Sequence, residues 1–187
     1  MEIKGEHSVA ECEKLVEVIR AEKMTKNVLV HSFDIPSLKR IFSIAPELPI
    51  ALIRGELDPD PVAIAAQLHL TSYNVGYKSL LQRPSAVADL HRAGVAVMVW
   101  TSDSPADWQQ LDKIGVDGII TNKPSELQGW VAAWLQKPKL LDQQVPPPAE
   151  GGLTPFIFVQ LAAYYPGPTV ADQRIAQALA LSLTNVG

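Results

Sequence analysis

Short apolar runs alternate with amphipathic stretches along residues 2–136. The runs at 27–33, 49–53, 95–101 and 118–121 are nearly continuous in Val, Ile, Leu and Met, the pattern of strands covered on both faces. A weaker run at 72–75 continues the series. Between them, residues 8–23, 35–45, 61–68, 85–92, 105–114 and 125–135 carry helical periodicity, as in Leu15, Val18 and Ile19 of the first. The boundaries agree with this division. Ser8 with Glu11 three residues on forms a capping box, Asp34 and Ser104 precede helices that tolerate Pro36 and Pro105 in their first turns, and Gly94 and Gly115 end two others.

One more strand stands at the head of the series. In Glu2-Ile3-Lys4 the two-residue repeat of a strand sends Glu2 and Lys4 to one side and Ile3 to the other. With it, six βα units follow one another, and repeated βα crossovers build a parallel sheet. A closed (β/α)₈ TIM-type barrel has eight such units in about 250 residues. The expectation is therefore an α/β fold of TIM-barrel type, incomplete at six units. The competing doubly wound sheet usually opens with a glycine-rich phosphate turn, which this chain lacks.

The character of the chain changes after the barrel-like part. We divide it into a partial barrel at 1–136, a Pro-rich linker at 137–152 containing Pro146-Pro147-Pro148, and a C-terminal extension at 153–187 with a helix expected at 170–183. The extension reads either as a tail with one amphipathic helix or as a cover for an exposed sheet edge.

Composition narrows the function classes. The 187 residues are 47% hydrophobic and 19% charged with net charge -4, so there is no basic footprint for nucleic acid. Cys12 is the single cysteine, which excludes an internal disulfide and a thiolate zinc centre. The longest apolar run, 156–165, is too short for a membrane span and contains Gln160. The opening residues are polar and charged, unlike a signal peptide, so a chain that starts at Met1 is expected in the cytoplasm.

Candidate chemistry begins with Glu2 and Lys4, a carboxylate and an ammonium on one strand face, suited to a divalent cation and a phosphate. The same pair on an edge strand also serves to resist aggregation. His7, in the loop just after, is the one histidine placed to act as a catalytic acid or base. His31 lies within a strand, and His69 and His91 belong to helices or their ends. Asn74 flanks a strand end, where it reaches a polar ligand or forms a turn. Lys123 follows the last strand, where barrels often bind phosphate. Asp34 is read as a helix cap and Asp103 as a loop residue beside the Ser104 cap.

Several segments occur in a telling order: Glu2-Ile3-Lys4, then Ser32-Phe33-Asp34, then the run from His91 through Gly94 to Trp100-Thr101. Gly115-Val116-Asp117-Gly118-Ile119-Ile120-Thr121-Asn122-Lys123-Pro124 closes the set. Together they resemble the later part of a glycerophosphodiester phosphodiesterase domain over roughly residues 1–136, its third to eighth barrel strands. The resemblance implies hydrolysis of a small-molecule glycerophosphodiester to glycerol 3-phosphate and an alcohol with a divalent cation, Mg or Ca. It implies Glu2 as a metal ligand, Lys4 as a phosphate contact and Trp100 as part of the substrate wall. It starts after the family's first two strands. The first-strand His-Arg pair, the Glu-x-Asp metal motif of the second region and the second catalytic histidine therefore find no match, and Asn122 stands where the family usually has Asp. The expectation is a family member without its N-terminal catalytic residues. The alternative is a non-catalytic binding or interaction module on a degenerate barrel.

Overall fold

The structure, a computed structural model, describes residues 1–135. Local sequence sets the helices. In α1 (Val9–Ala21) the Ser8 hydroxyl accepts from the Glu11 amide at 3.3 Å, while the Ser8 amide donates to the Glu11 carboxylate at 2.8 Å. This capping box satisfies two otherwise orphaned amides. Asp34 caps α2 (Ile35–Ile44), accepting from the Ser37 amide at 2.7 Å. Asp60 caps α3 (Pro61–Leu68) through the Ala63 amide at 2.9 Å. Two short helices, α4 (Tyr77–Gln82) and α5 (Ser85–Arg92), lack such side-chain caps. Ser104 caps α6 (Pro105–Lys113), and α7 (Pro124–Leu135) completes the set.

Five strands, β1 (Val30–Ser32), β2 (Ile50–Arg54), β3 (Ser72–Gly76), β4 (Ala96–Trp100) and β5 (Gly118–Ile119), form one parallel sheet in the order β1-β2-β3-β4-β5. A doubly wound sheet reverses its order at a switch point; this one does not. One continuous apolar cluster joins Val30, Ile50, Leu52, Tyr73, Val75, Val97 and Val99 to Val16, Leu38, Ile41, Leu68 and Leu90 of the helices. The helices therefore share one face of the sheet, as on the outside of a barrel. Alternate strand positions, Ala51, Ile53, Ser72, Asn74 and Met98, form the other face and are buried as well. This is the incomplete (β/α)₈ architecture expected from the pattern.

Some expected elements are shorter. The strand expected at 2–4 is reduced to one parallel bridge, Glu2 to His31. The strand expected at 27–33 pairs only over Val30–Ser32, and that at 118–121 only over Gly118–Ile119. A ladder extends only where its neighbour supplies partners in register. The six-residue α4 was not expected; its N-cap is Gly76, which offers no side-chain capping signal. The linker at 137–152 and the extension at 153–187 lie outside the described residues. Among the described residues no helix is long and apolar enough to cross a membrane.

Candidate functional site

The Glu2 bridge fixes the orientation of the first candidates. The His31 amide donates to the Met1 carbonyl and the Ile3 amide to the His31 carbonyl, both at 2.9 Å. The Ser32 hydroxyl adds a 2.7 Å bond to the Ile3 carbonyl. Ile3 packs against the helix-side core, so Glu2 and Lys4 project to the inner face. Glu2 is half-buried and Lys4 exposed. Lys4 makes no salt bridge among the described residues.

His7 does not join them. Its Nε2 donates to the Lys4 carbonyl at 3.1 Å, its amide donates to the Ser37 hydroxyl at 2.9 Å, and its carbonyl accepts from Arg40 at 2.6 Å. The ring lines a shallow recess with Ile3, Glu11, Cys12 and Leu15 on the helix side. That is the opposite side of the strand from the Glu2 carboxylate. The other two non-strand histidines are also tied into the fold. His69 caps α3 and stacks on Phe42 at 4.5 Å, and His91 Nε2 meets the Asp117 carboxylate at 2.7 Å.

A polar row crosses the inner face beside Glu2. The Ser72 hydroxyl donates to Asn74 Oδ1 at 2.7 Å, and Asn74 Nδ2 lies 3.1 Å from His31 Nδ1. Burial, with a smaller push from the Met1 ammonium, lowers the His31 imidazole to about 4, so the ring is neutral at pH 7. Asn74, expected at the ligand face, is fully buried with its amide engaged at both ends. Among the described residues its side-chain partners are Ser72 and His31. Nearby, Phe33 meets Trp100 edge-on at 5.5 Å, and the Trp100 indole N–H donates to the Arg54 carbonyl at 3.2 Å. Phe33, half exposed, and Trp100 thus form an aromatic wall at the C-terminal ends of β1 and β4. Barrel enzymes place their sites at these ends.

The far end of the sheet is closed by Asp103. Its carboxylate accepts from the Thr121 hydroxyl at 2.7 Å, the Asn122 amide at 2.7 Å and the Asn122 side chain at 2.9 Å. Partial desolvation pushes the Asp103 carboxyl up, but these bonds outweigh it and hold it below the ordinary aspartate value. Lys123 stands beside this clamp with its ammonium 3.3 Å from Glu126. The Asp103 carboxylate already occupies the Asn122 amide, so the surroundings expected to favour a phosphate at Lys123 hold an internal anion instead.

Two short sequence patterns deserve placement. Glu56-Leu57-Asp58 has the Glu-x-Asp spacing, but it lies in the loop after β2. Asp58 there is held by Arg54 at 3.0 Å and by the Tyr73 hydroxyl. His91-Arg92 sits at the end of α5. Ca takes six to eight oxygen ligands, and Mg takes six in a near-octahedral set that usually includes one or two carboxylates and several waters. Among the described residues no three His, Cys, Asp or Glu side chains converge to hold a metal ion. Asp34 caps a helix, Asp103 clamps a loop, and Glu2 is left as one carboxylate. The described residues alone therefore do not fit a divalent cation.

Comparison with known proteins supplies the context. The model of the glycerophosphoryl diester phosphodiesterase family matches residues 1–126. A glycerophosphodiester phosphodiesterase of Caldanaerobacter subterraneus subsp. tengcongensis is 31% identical over 115 residues, 62% of this chain and 46% of the relative. The crystal structure of a glycerophosphodiester phosphodiesterase from Parabacteroides distasonis is 25% identical, with TM-score 0.64 over 72% of this chain and 57% of that one. An Oleispira antarctica phosphodiesterase in complex with the product sn-glycerol-3-phosphate shares the fold at 15% identity and TM-score 0.59, over 70% of this chain and 54% of that one. The chain thus spans about half the length of the relatives it matches.

Proposed function

Because this chain belongs to the glycerophosphoryl diester phosphodiesterase family, we propose that its described residues form the phosphate-binding flank of a glycerophosphodiester site. In this reading the 187-residue chain binds the glycerol phosphate group without cleaving the diester by itself. The observation that carries the binding half is the inner-face placement of Lys4 beside Glu2 on the bridge to His31. Lys4 supplies the charge for a phosphate oxygen, and a charge-assisted bond of this kind is among the stronger polar contacts. Trp100 and Phe33 offer an apolar wall for the glycerol or alcohol carbons. Glu2 is the carboxylate this chain would contribute to a divalent cation whose other ligands are not among the described residues. Lys123 is a weaker phosphate candidate, since Glu126 and Asp103 surround it with negative charge.

The second half of the proposal rests on the histidines. Cleavage of a phosphodiester by acid–base catalysis needs a group free to move a proton near the scissile bond. His7, His69 and His91 are engaged away from Glu2, and His31 is neutral with Nδ1 against an amide.

Binding is tested by titrating the chain with sn-glycerol 3-phosphate, the product named for the Oleispira antarctica relative, and following backbone NMR shifts. Lys4→Ala is expected to weaken binding about tenfold, the scale of one lost charged hydrogen bond. Equal affinity in the variant would remove Lys4 from the site, and shifts clustered at Lys123 would relocate it.

A further inference from the structure

We infer that His31 is itself a ligand-binding residue, donating from Nε2–H to an anionic oxygen held on the Glu2–Lys4 face, with Asn74 and Ser72 as its positioning residues. This rests on the phosphate-binding reading above and names the group that completes it. The amide of Asn74 fixes the tautomer of His31. Asn74 Oδ1 accepts from the Ser72 hydroxyl at 2.7 Å, so its Nδ2 is the atom that faces His31 Nδ1 at 3.1 Å. An amide nitrogen only donates, which makes His31 Nδ1 an acceptor. A neutral imidazole with Nδ1 accepting carries its proton on Nε2. An imidazolium would set two donors against each other at 3.1 Å, so the same relay disfavours the charged ring. The protonated Nε2 is a hydrogen-bond donor and not a metal ligand.

Register then says where that donor stands. Glu2 pairs with His31, His31 with Ala51, and Ala51 with Ser72. Paired positions share a face, so Glu2 and His31 are neighbours on the inner side. Ala51 between them and β3 has only a methyl group, which leaves room for the imidazole to reach Asn74 across β2. Ser72 and Asn74 are 2% and 0% exposed, whereas His31 keeps part of its surface. The ring is therefore the end of the row that reaches toward a ligand, and no described residue engages its Nε2. Burying three polar side chains on a barrel face costs stability unless each is satisfied. The relay satisfies the two inner members and leaves the outer donor for an oxyanion.

The test uses the full chain with ¹⁵N-labelled histidine. Long-range imidazole spectra at pH 7 are expected to show His31 as the Nε2–H tautomer. Addition of sn-glycerol 3-phosphate, or of inorganic phosphate as a second probe, should move the His31 Nε2 signal and leave those of His69 and His91 in place. His31→Leu should weaken binding about tenfold or more, the scale of one hydrogen bond to a charged acceptor, and His31→Gln, which retains a donor, should recover most of it. Asn74→Leu should mix the tautomers. If Lys4 backbone signals of uniformly ¹⁵N-labelled chain respond to the ligand while His31 stays unmoved, or if His31 is the Nδ1–H tautomer, the inference fails and the phosphate-binding reading stands. If neither residue responds, both fail.

Discussion

Asp103 shows what a single side chain does at the sheet end. It joins the segment after β4 to the segment after β5 through three accepted hydrogen bonds, and the Thr121 hydroxyl passes the restraint to the Lys123 amide at 3.0 Å. Removing it in Asp103→Ala is expected to lower stability by about 2 kcal/mol, measured by urea unfolding at pH 7, because hydrogen bonds to a charged group exceed neutral ones. The difference should depend on pH. The folded carboxyl sits below the ordinary 3.8, so near and below that value the unfolded chain binds more protons. The contribution of Asp103 is complete above about pH 4 and is lost as pH falls through its folded value. Stability curves of protein and variant should converge on the acid side; parallel curves would contradict the clamp. The contrast with Asp34 explains what could be read beforehand. Asp34 caps the Ser37 amide three residues away, and such local chemistry is visible in sequence. The partners of Asp103 lie 18 and 19 residues along the chain, and only the fold brings them together. The same distance hid the relay from Ser72 through Asn74 to His31, in which Asn74 lies 43 residues from the histidine.

At the scale of elements, the helices were legible wherever a cap and an apolar stripe coincided, as in α1, α2 and α6. The strands were legible in position more than in length, because their ends depend on neighbours. The junction of β3 and α4 carried the weakest signal. It also holds a close approach: a Cβ added at Gly76 would stand 2.3 Å from the Gly55 carbonyl oxygen. The backbone at Gly76 has φ of -55°, which any residue adopts; the demand is for space alone. Gly76→Ala is expected to destabilise by about 2 kcal/mol through forced separation of the chain after β2 from the end of β3. Gly55→Ala, whose Cβ would meet nothing within 4 Å, should change stability by less than about 1 kcal/mol. Thermal melts of the two variants decide this; equal effects would show that the approach tolerates a methyl group.

At the scale of the whole molecule, sequential parallel strands with helices on one face give the incomplete barrel, and family membership places it in the glycerophosphoryl diester phosphodiesterases. The architecture was readable because βα alternation restricts topology strongly. The site was readable only in outline, because its function depends on which side of a strand each polar group faces. Glu2 and Lys4 follow from simple alternation, whereas His7 is drawn to the helix side by Lys4, Ser37 and Arg40. The account separates binding from cleavage, and hydrolysis of glycerophosphocholine and glycerophosphoethanolamine by the purified 187-residue chain tests that separation most directly. The assay runs with Mg or Ca and with a chelator control, on protein shown to be folded. No glycerol 3-phosphate is expected above the chelator baseline. Release that stops with chelator and in Glu2→Ala would contradict the account, because the chain would then assemble a complete metal-dependent site of its own.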